Sequence, residues 1–98
     1  MAKEVYKGEL ESLVRNGAML VDVRESDEHE RDGLPGHTHI PLSRLSELAS
    51  RIKPDAKRPI VFYCRSGLMS YQAAEIASSW TDEPVYYLSG GLLSYTDA

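Results

Sequence analysis

The sequence predicts an α/β domain built on a parallel sheet with helices on both faces. Three observations carry that expectation. Apolar runs of strand length, at residues 18–23, 59–63 and 84–88, alternate with segments whose apolar residues recur at helical spacing. The connections between them have the length of crossovers that return a chain to the same edge of a sheet. Ninety-eight residues, 42% hydrophobic and 27% charged, suffice for one core, so residues 1–98 are expected to form a single domain.

Taken in order, Val5 and Tyr6 suit a short edge strand, after which Leu10, Leu13 and Val14 form a helical stripe that Asn16-Gly17 ends. Ala18 to Val23 is a continuous apolar run interrupted by one acid, as expected of a strand covered on both faces. Ser26 or Asp27 can cap a brief acidic turn through Glu30, closed by Gly33 and Pro35-Gly36. His37 to Ile40 suits another short strand. Ser43 is placed to cap a helix with Leu42, Leu45, Leu48 and Ile52 on its apolar face before Pro54. Pro59 to Tyr63 is a strong strand. From Ser70 to Trp80 the stripe Ala73, Ala74, Ala77 and Trp80 predicts a helix whose small residues let it lie close to the sheet. Pro84 to Leu88 gives the last strand, Ser89-Gly90-Gly91 breaks it, and Leu92, Leu93 and Tyr95 suit a short terminal helix.

Composition narrows the function classes. The net charge of −4 is spread along the chain with no basic block, which argues against nucleic acid as a partner. No stretch of eighteen apolar residues is present, and residues 1–20 are interspersed with charge, so a membrane location is not expected and the cytoplasm is. The single cysteine, Cys64, has no intramolecular disulfide partner and no second thiol with which to build a zinc or redox pair.

Cys64 stands at the end of the apolar run 59–63, with Gly67 in the loop behind it and a helix starting near Ser70. Free cysteine is often only a small buried apolar residue. A thiol at a loop leading into a helix, however, meets unpaired N–H groups and the positive end of the helix dipole, and both favour thiolate. Arg65 adds a charge, and Gly67 lets the loop curl into an anion-holding nest. Phosphate chemistry in such a loop calls for an arginine six residues after the cysteine, to grip the phosphoryl oxygens. Here that residue is Ser70, and Leu68 and Met69 are apolar, so sulfur transfer is the better fit: backbone N–H groups alone can hold a persulfide anion.

Four blocks, Leu20–Glu25, Gly33–Leu42, Val61–Ser70 and Leu88–Gly91, occur in an order that resembles single-domain rhodaneses, a sulfurtransferase family. Gly67–Tyr71, Leu88–Gly91 and Tyr95 are similar to the rhodanese domains associated with coenzyme A disulfide reductases. The resemblance implies a three-layer sandwich with a five-stranded parallel sheet, a catalytic Cys64 that takes up sulfane sulfur as a persulfide, and a substrate loop of Arg65, Ser66, Gly67, Leu68, Met69 and Ser70. It implies no metal and no cofactor. It also implies a small-molecule donor, thiosulfate or an organic persulfide, with a thiol or cyanide acceptor, and leaves room for a protein donor or acceptor. The Gly33–Gly36 segment departs from many members: it is one residue shorter and lacks their histidine. With Leu68 and Met69 apolar, Arg65 is the only cation of the loop, and a dianion such as thiosulfate is expected to bind weakly.

Asp22 and Arg24 are supporting residues, expected as a structural pair at a strand end near the loop. His37 and His39 fall on one side of a strand, but no third ligand at suitable spacing accompanies them, so a metal site is not expected. Tyr86, Tyr87 and Tyr95 suit packing rather than base stacking, as no basic patch goes with them. Ser66 and Ser70 are candidates to donate to a sulfur adduct or to cap the helix that starts there. The rival to an enzyme is a non-catalytic rhodanese-like module that binds a partner; retention of both Cys64 and Gly67 favours the enzyme.

Overall fold

The computed structural model describes residues 2–47 and 58–96. Five strands, β1 (Ala2–Val5), β2 (Met19–Asp22), β3 (Thr38–His39), β4 (Ile60–Tyr63) and β5 (Val85–Leu88), form one parallel sheet in the order β1-β5-β4-β2-β3. All four residues of β2 and all four of β4 are buried, which is why both read as unbroken apolar runs rather than alternating ones.

Alternation along β4 divides the core in two. Ile60, Phe62 and Cys64 face the layer holding Ala73, Ala74 and Ala77, while Val61 and Tyr63 face Leu10 and Leu92 on the other side. The first layer is α3 (Leu68–Ala77), whose alanines and buried Ser70 allow close approach to the sheet. The second holds α1 (Lys7–Arg15), started by Tyr6, whose backbone N–H is satisfied by the Glu9 carboxylate at 3.1 Å. Tyr6 therefore belongs to a helix cap, not to the edge strand expected of it.

Short elements complete the rim: α2 (Glu28–Asp32), one turn of 3-10 helix at Leu42–Arg44, and α4 (Leu93–Thr96). Ser43 does not cap a helix. Its N–H and hydroxyl both donate to Glu25, at 2.8 and 2.6 Å, which ties the segment after β3 to the segment after β2. Leu48, Ile52 and Pro54 of the expected helix lie outside the described residues. Among the described residues no helix is long and apolar enough to cross a membrane.

The strand order places the site. From β2 the chain proceeds to β3 on one side, and from β4 to β5 on the other, so the order reverses between β2 and β4. Crossovers diverge there and leave a crevice at the carboxyl ends of the two strands. Arg24 stands two residues beyond the end of β2, and Cys64 directly follows β4.

Candidate active site

A cavity of about 270 Å³ opens at that crevice, lined by Arg24, Glu25, Ser26, Glu28, Cys64, Arg65, Ser66 and Met69. Cys64 lies at its floor, only 2% exposed. Its sulfur accepts a hydrogen bond from the Gly67 N–H at 3.1 Å and lies 3.7 Å from the Ser70 hydroxyl, which in turn donates to the Gly67 carbonyl at 3.0 Å. Gly67 holds φ of 106° at the N-cap of α3, a conformation that favours glycine, and this turns its N–H toward the sulfur. The helix begins at Leu68, two residues earlier than the stripe suggested, so its first-turn N–H groups sit directly beside the loop.

The carbonyls of the loop face the other way. Leu92 N–H donates to the Cys64 carbonyl at 2.9 Å and Leu93 N–H to the Arg65 carbonyl at 3.1 Å. With its acceptors held from behind by the turn after β5, the loop presents its donors to the cavity. Gly91 is part of that clasp: a Cβ there would come within 2.5 Å of the Cys64 carbonyl oxygen and closer still to the Arg65 carbonyl. The Leu88–Gly91 block thus has a structural task that the spacing alone did not assign to it.

Not every residue expected at the substrate reaches it. Arg65, Ser66 and Met69 line the cavity, and Gly67 and Ser70 act on the sulfur from within the loop. Leu68 does not line it; the side chain is 67% exposed on the outside of α3. Asp22 lies beneath the wall as the partner of Arg24. The Arg24 Nη2 and Nε donate to the Asp22 carboxylate at 2.8 and 3.1 Å, and its Nη1 reaches Asp32 at 2.8 Å. Burial works against the ionised form of Asp22, but the hydrogen bonds from Arg24 and the Tyr63 hydroxyl outweigh it and hold the carboxyl below its ordinary range. For Arg24, the pairing with Asp22 and Asp32 likewise overcomes the burial and raises its pKa. Such a pair gives the wall a fixed shape, since removing either partner leaves the other charge buried.

Two features were not apparent in the sequence. Arg65, half exposed, reaches Glu28, with which it forms a close charged hydrogen bond, and lies 3.7 Å from Asp32. The acidic run around α2 was visible, but its pairing with a residue 37 positions later was not. The second is that all three histidines of the chain meet. His29 stacks on His39 with ring centroids 3.7 Å apart, and its Nδ1 lies 3.1 Å from Nε2 of His37. His37 Nδ1 donates to the Leu34 carbonyl at 2.8 Å and His39 Nε2 to the Arg24 carbonyl at 2.7 Å, so the cluster buttresses the wall from outside the cavity. Gly33 is required by this packing, because a Cβ there would overlap the His37 ring. The shortened Gly33–Gly36 segment is accommodated in this way, with the Leu34 N–H donating to the Tyr63 hydroxyl at 2.9 Å.

Comparison with known proteins agrees with this geometry. The chain is 35% identical over 74 residues to the uncharacterized protein YqhL of Bacillus subtilis, an alignment covering 76% of this chain and 57% of that one. It is 28% identical over 92 residues to the thiosulfate sulfurtransferase GlpE of Coxiella burnetii, covering 93% of this chain and 84% of that protein. The fold superposes with a TM-score of 0.85 on reduced CoADR-RHD of Bacillus anthracis, at 28% identity, covering 96% of this chain and 16% of that chain. The present chain thus spans little more than half the length of the first relative and a sixth of the third. The sequence profile described as the Rhodanese-like domain matches residues 6–98, and the chain belongs to that family.

Proposed function

We propose that this chain is a sulfurtransferase that carries sulfane sulfur on Cys64 as a persulfide, from thiosulfate or an organic persulfide to a thiol or cyanide. The observation that carries the reading is the Gly67 N–H directed at Sγ from 3.1 Å, at the floor of a cavity beyond the carboxyl ends of β2 and β4. An N–H donor and a helix N-terminus stabilise negative charge on the first sulfur, and equally on a second sulfur attached to it. The thiosulfate sulfurtransferase of Coxiella burnetii supports the same chemistry by similarity.

The reaction divides into two displacements. In the first, the Cys64 thiolate attacks the outer sulfur of the donor, a sulfur–sulfur bond forms at Cys64, and the donor's own sulfur–sulfur bond breaks. Its electron pair leaves with the departing group, as sulfite from thiosulfate or as a thiol from a persulfide, the thiol taking the persulfide proton. In the second, a thiolate or cyanide attacks the outer sulfur of the Cys64 persulfide and leaves with it, returning the thiolate. Neither step calls for a metal or an organic cofactor. Arg65, Ser66 and Met69 surround the donor, Gly67 and Ser70 hold the sulfur, and Asp22 and Arg24 hold the wall opposite. A protein donor or acceptor fits the same scheme, and the cytoplasm, where thiols stay reduced, suits it.

Intact mass spectrometry after exposure to a panel of sulfur donors tests the reading. One added sulfur is expected on the wild type, removable by cyanide, and none on Cys64→Ser. A wild-type protein that takes up no sulfur from any donor would favour the partner-binding module instead.

A further inference from the structure

The cavity's cations are already spent. Arg24 gives its Nε and Nη2 to Asp22 and its Nη1 to Asp32, and Arg65 binds Glu28 with Asp32 in range. Glu28 also lies 3.8 Å from Arg24, and Glu25 forms another part of the cavity lining. Two guanidinium groups therefore face four carboxylates, Asp22, Glu25, Glu28 and Asp32, before the Cys64 thiolate is counted. A sulfonate entering beside Cys64 finds backbone N–H groups on one side and an acidic wall on the other.

We propose that Glu28, seconded by Asp32, is the specificity determinant of this site: by occupying Arg65 it disfavours anionic donors and selects sulfane donors whose tail is uncharged or cationic. The proposal rests on the sulfurtransferase reading and assigns its donor class. Glu28 is suited to the task by position and by ionisation. Its carboxylate borders the cavity, and the Arg65 and Ser26 hydrogen bonds hold its pKa below the ordinary glutamate value, so it stays charged at neutral pH. It is also held in place: Ser26 Oγ donates to Oε1 at 2.8 Å while Arg65 takes Oε2. A cationic tail meets Glu25 and Glu28, an anionic tail meets the same two groups with no unpaired guanidinium to offset them.

The test is a series of donors alike in length and different in charge: aminoethyl, hydroxyethyl and sulfonatoethyl persulfide, with thiosulfate as the dianion. The rate of sulfur loading on Cys64 is read by mass spectrometry. Wild type is expected to load fastest from the aminoethyl donor and slowest from the sulfonatoethyl donor and thiosulfate, over a span of about tenfold that narrows as salt is raised. Glu28→Gln should move the two ends in opposite directions, each by roughly two- to threefold, which closes most of the span and lies within what an exposed charge pair is worth. Asp32→Asn should act in the same sense and more weakly. General damage to the site slows every donor together and is thereby separated from loss of charge selection. Equal wild-type rates for the three persulfides, or parallel changes in Glu28→Gln, overturn the proposal while leaving the sulfurtransferase reading intact. Failure of every donor to load Cys64 overturns both.

Discussion

The two sides of the cavity are built on opposite principles. The loop side, Cys64 to Ser70, uses main chain: a glycine N–H on the sulfur, a helix N-terminus, and carbonyls clasped from behind by Leu92 and Leu93. The wall side, Arg24 to Asp32, uses side chains paired across distances that only the fold creates. Main-chain donors cannot be exchanged by mutation, so they suit a chemistry that a family keeps. Charged side chains can be exchanged one at a time, so they suit the choice of donor. The difference separates what the site does from what it does it to.

Substitutions that distinguish the two sides should differ in kind. The largest effect short of losing the thiol is expected from Gly91→Ala. The new methyl would press on the Cys64 and Arg65 carbonyls, and φ of 59° adds a penalty of about 1–2 kcal/mol. Gly90→Ala carries a similar backbone penalty at φ of 74°, but its methyl meets the Ser94 side chain instead. Sulfur loading should therefore fall more than about tenfold in Gly91→Ala and about twofold or less in Gly90→Ala, for every donor alike. Equal losses in the two would contradict the clasp.

Asp22→Asn attacks the wall. It leaves Arg24 buried with only the contacts of its Nη1 to Asp32 and Glu28 and is expected to cost about 3 kcal/mol in a denaturant titration at neutral pH, the lower end for breaking a buried pair. The pH dependence fixes its origin. Because the folded state holds this carboxyl below its ordinary value of 3.8, the stabilisation is complete above that value and is lost as pH falls through the lower folded value. The gap between wild type and Asp22→Asn should accordingly close in acid; a gap constant with pH would assign the loss to packing. Ser70→Ala is a milder change than Gly91→Ala or Asp22→Asn. It removes the bond to the Gly67 carbonyl, worth about 1 kcal/mol, and is expected to slow loading by less than about tenfold.

How much of this was legible follows the same division. Strands β2 and β4 were plain because burial on both faces makes an unbroken apolar run, and the Cys64 loop was plain because its parts are contiguous. α3 starts two residues before the expected Ser70: Leu68 and Met69 are helical, and although Met69 packs on the core with the alanine stripe, Leu68 turns outward and gives no apolar signal at the first position. Ser43 reads locally as a cap, and only the approach of Glu25 assigns it elsewhere. Arg65 reads in the sequence as the only cation of the loop, and its partners, Glu28 and Asp32, lie on α2, far from it in the chain. The three-histidine buttress joins α2 to the β3 segment, a proximity that no local pattern encodes.

The most direct test of the central claim is the mass of the intact protein after incubation with hydroxyethyl persulfide, the donor whose tail is indifferent to the acidic wall. The account predicts one added sulfur located at Cys64, discharged by cyanide and absent from Cys64→Ser. An unchanged mass in the wild type, or an added sulfur that persists in Cys64→Ser, would contradict it.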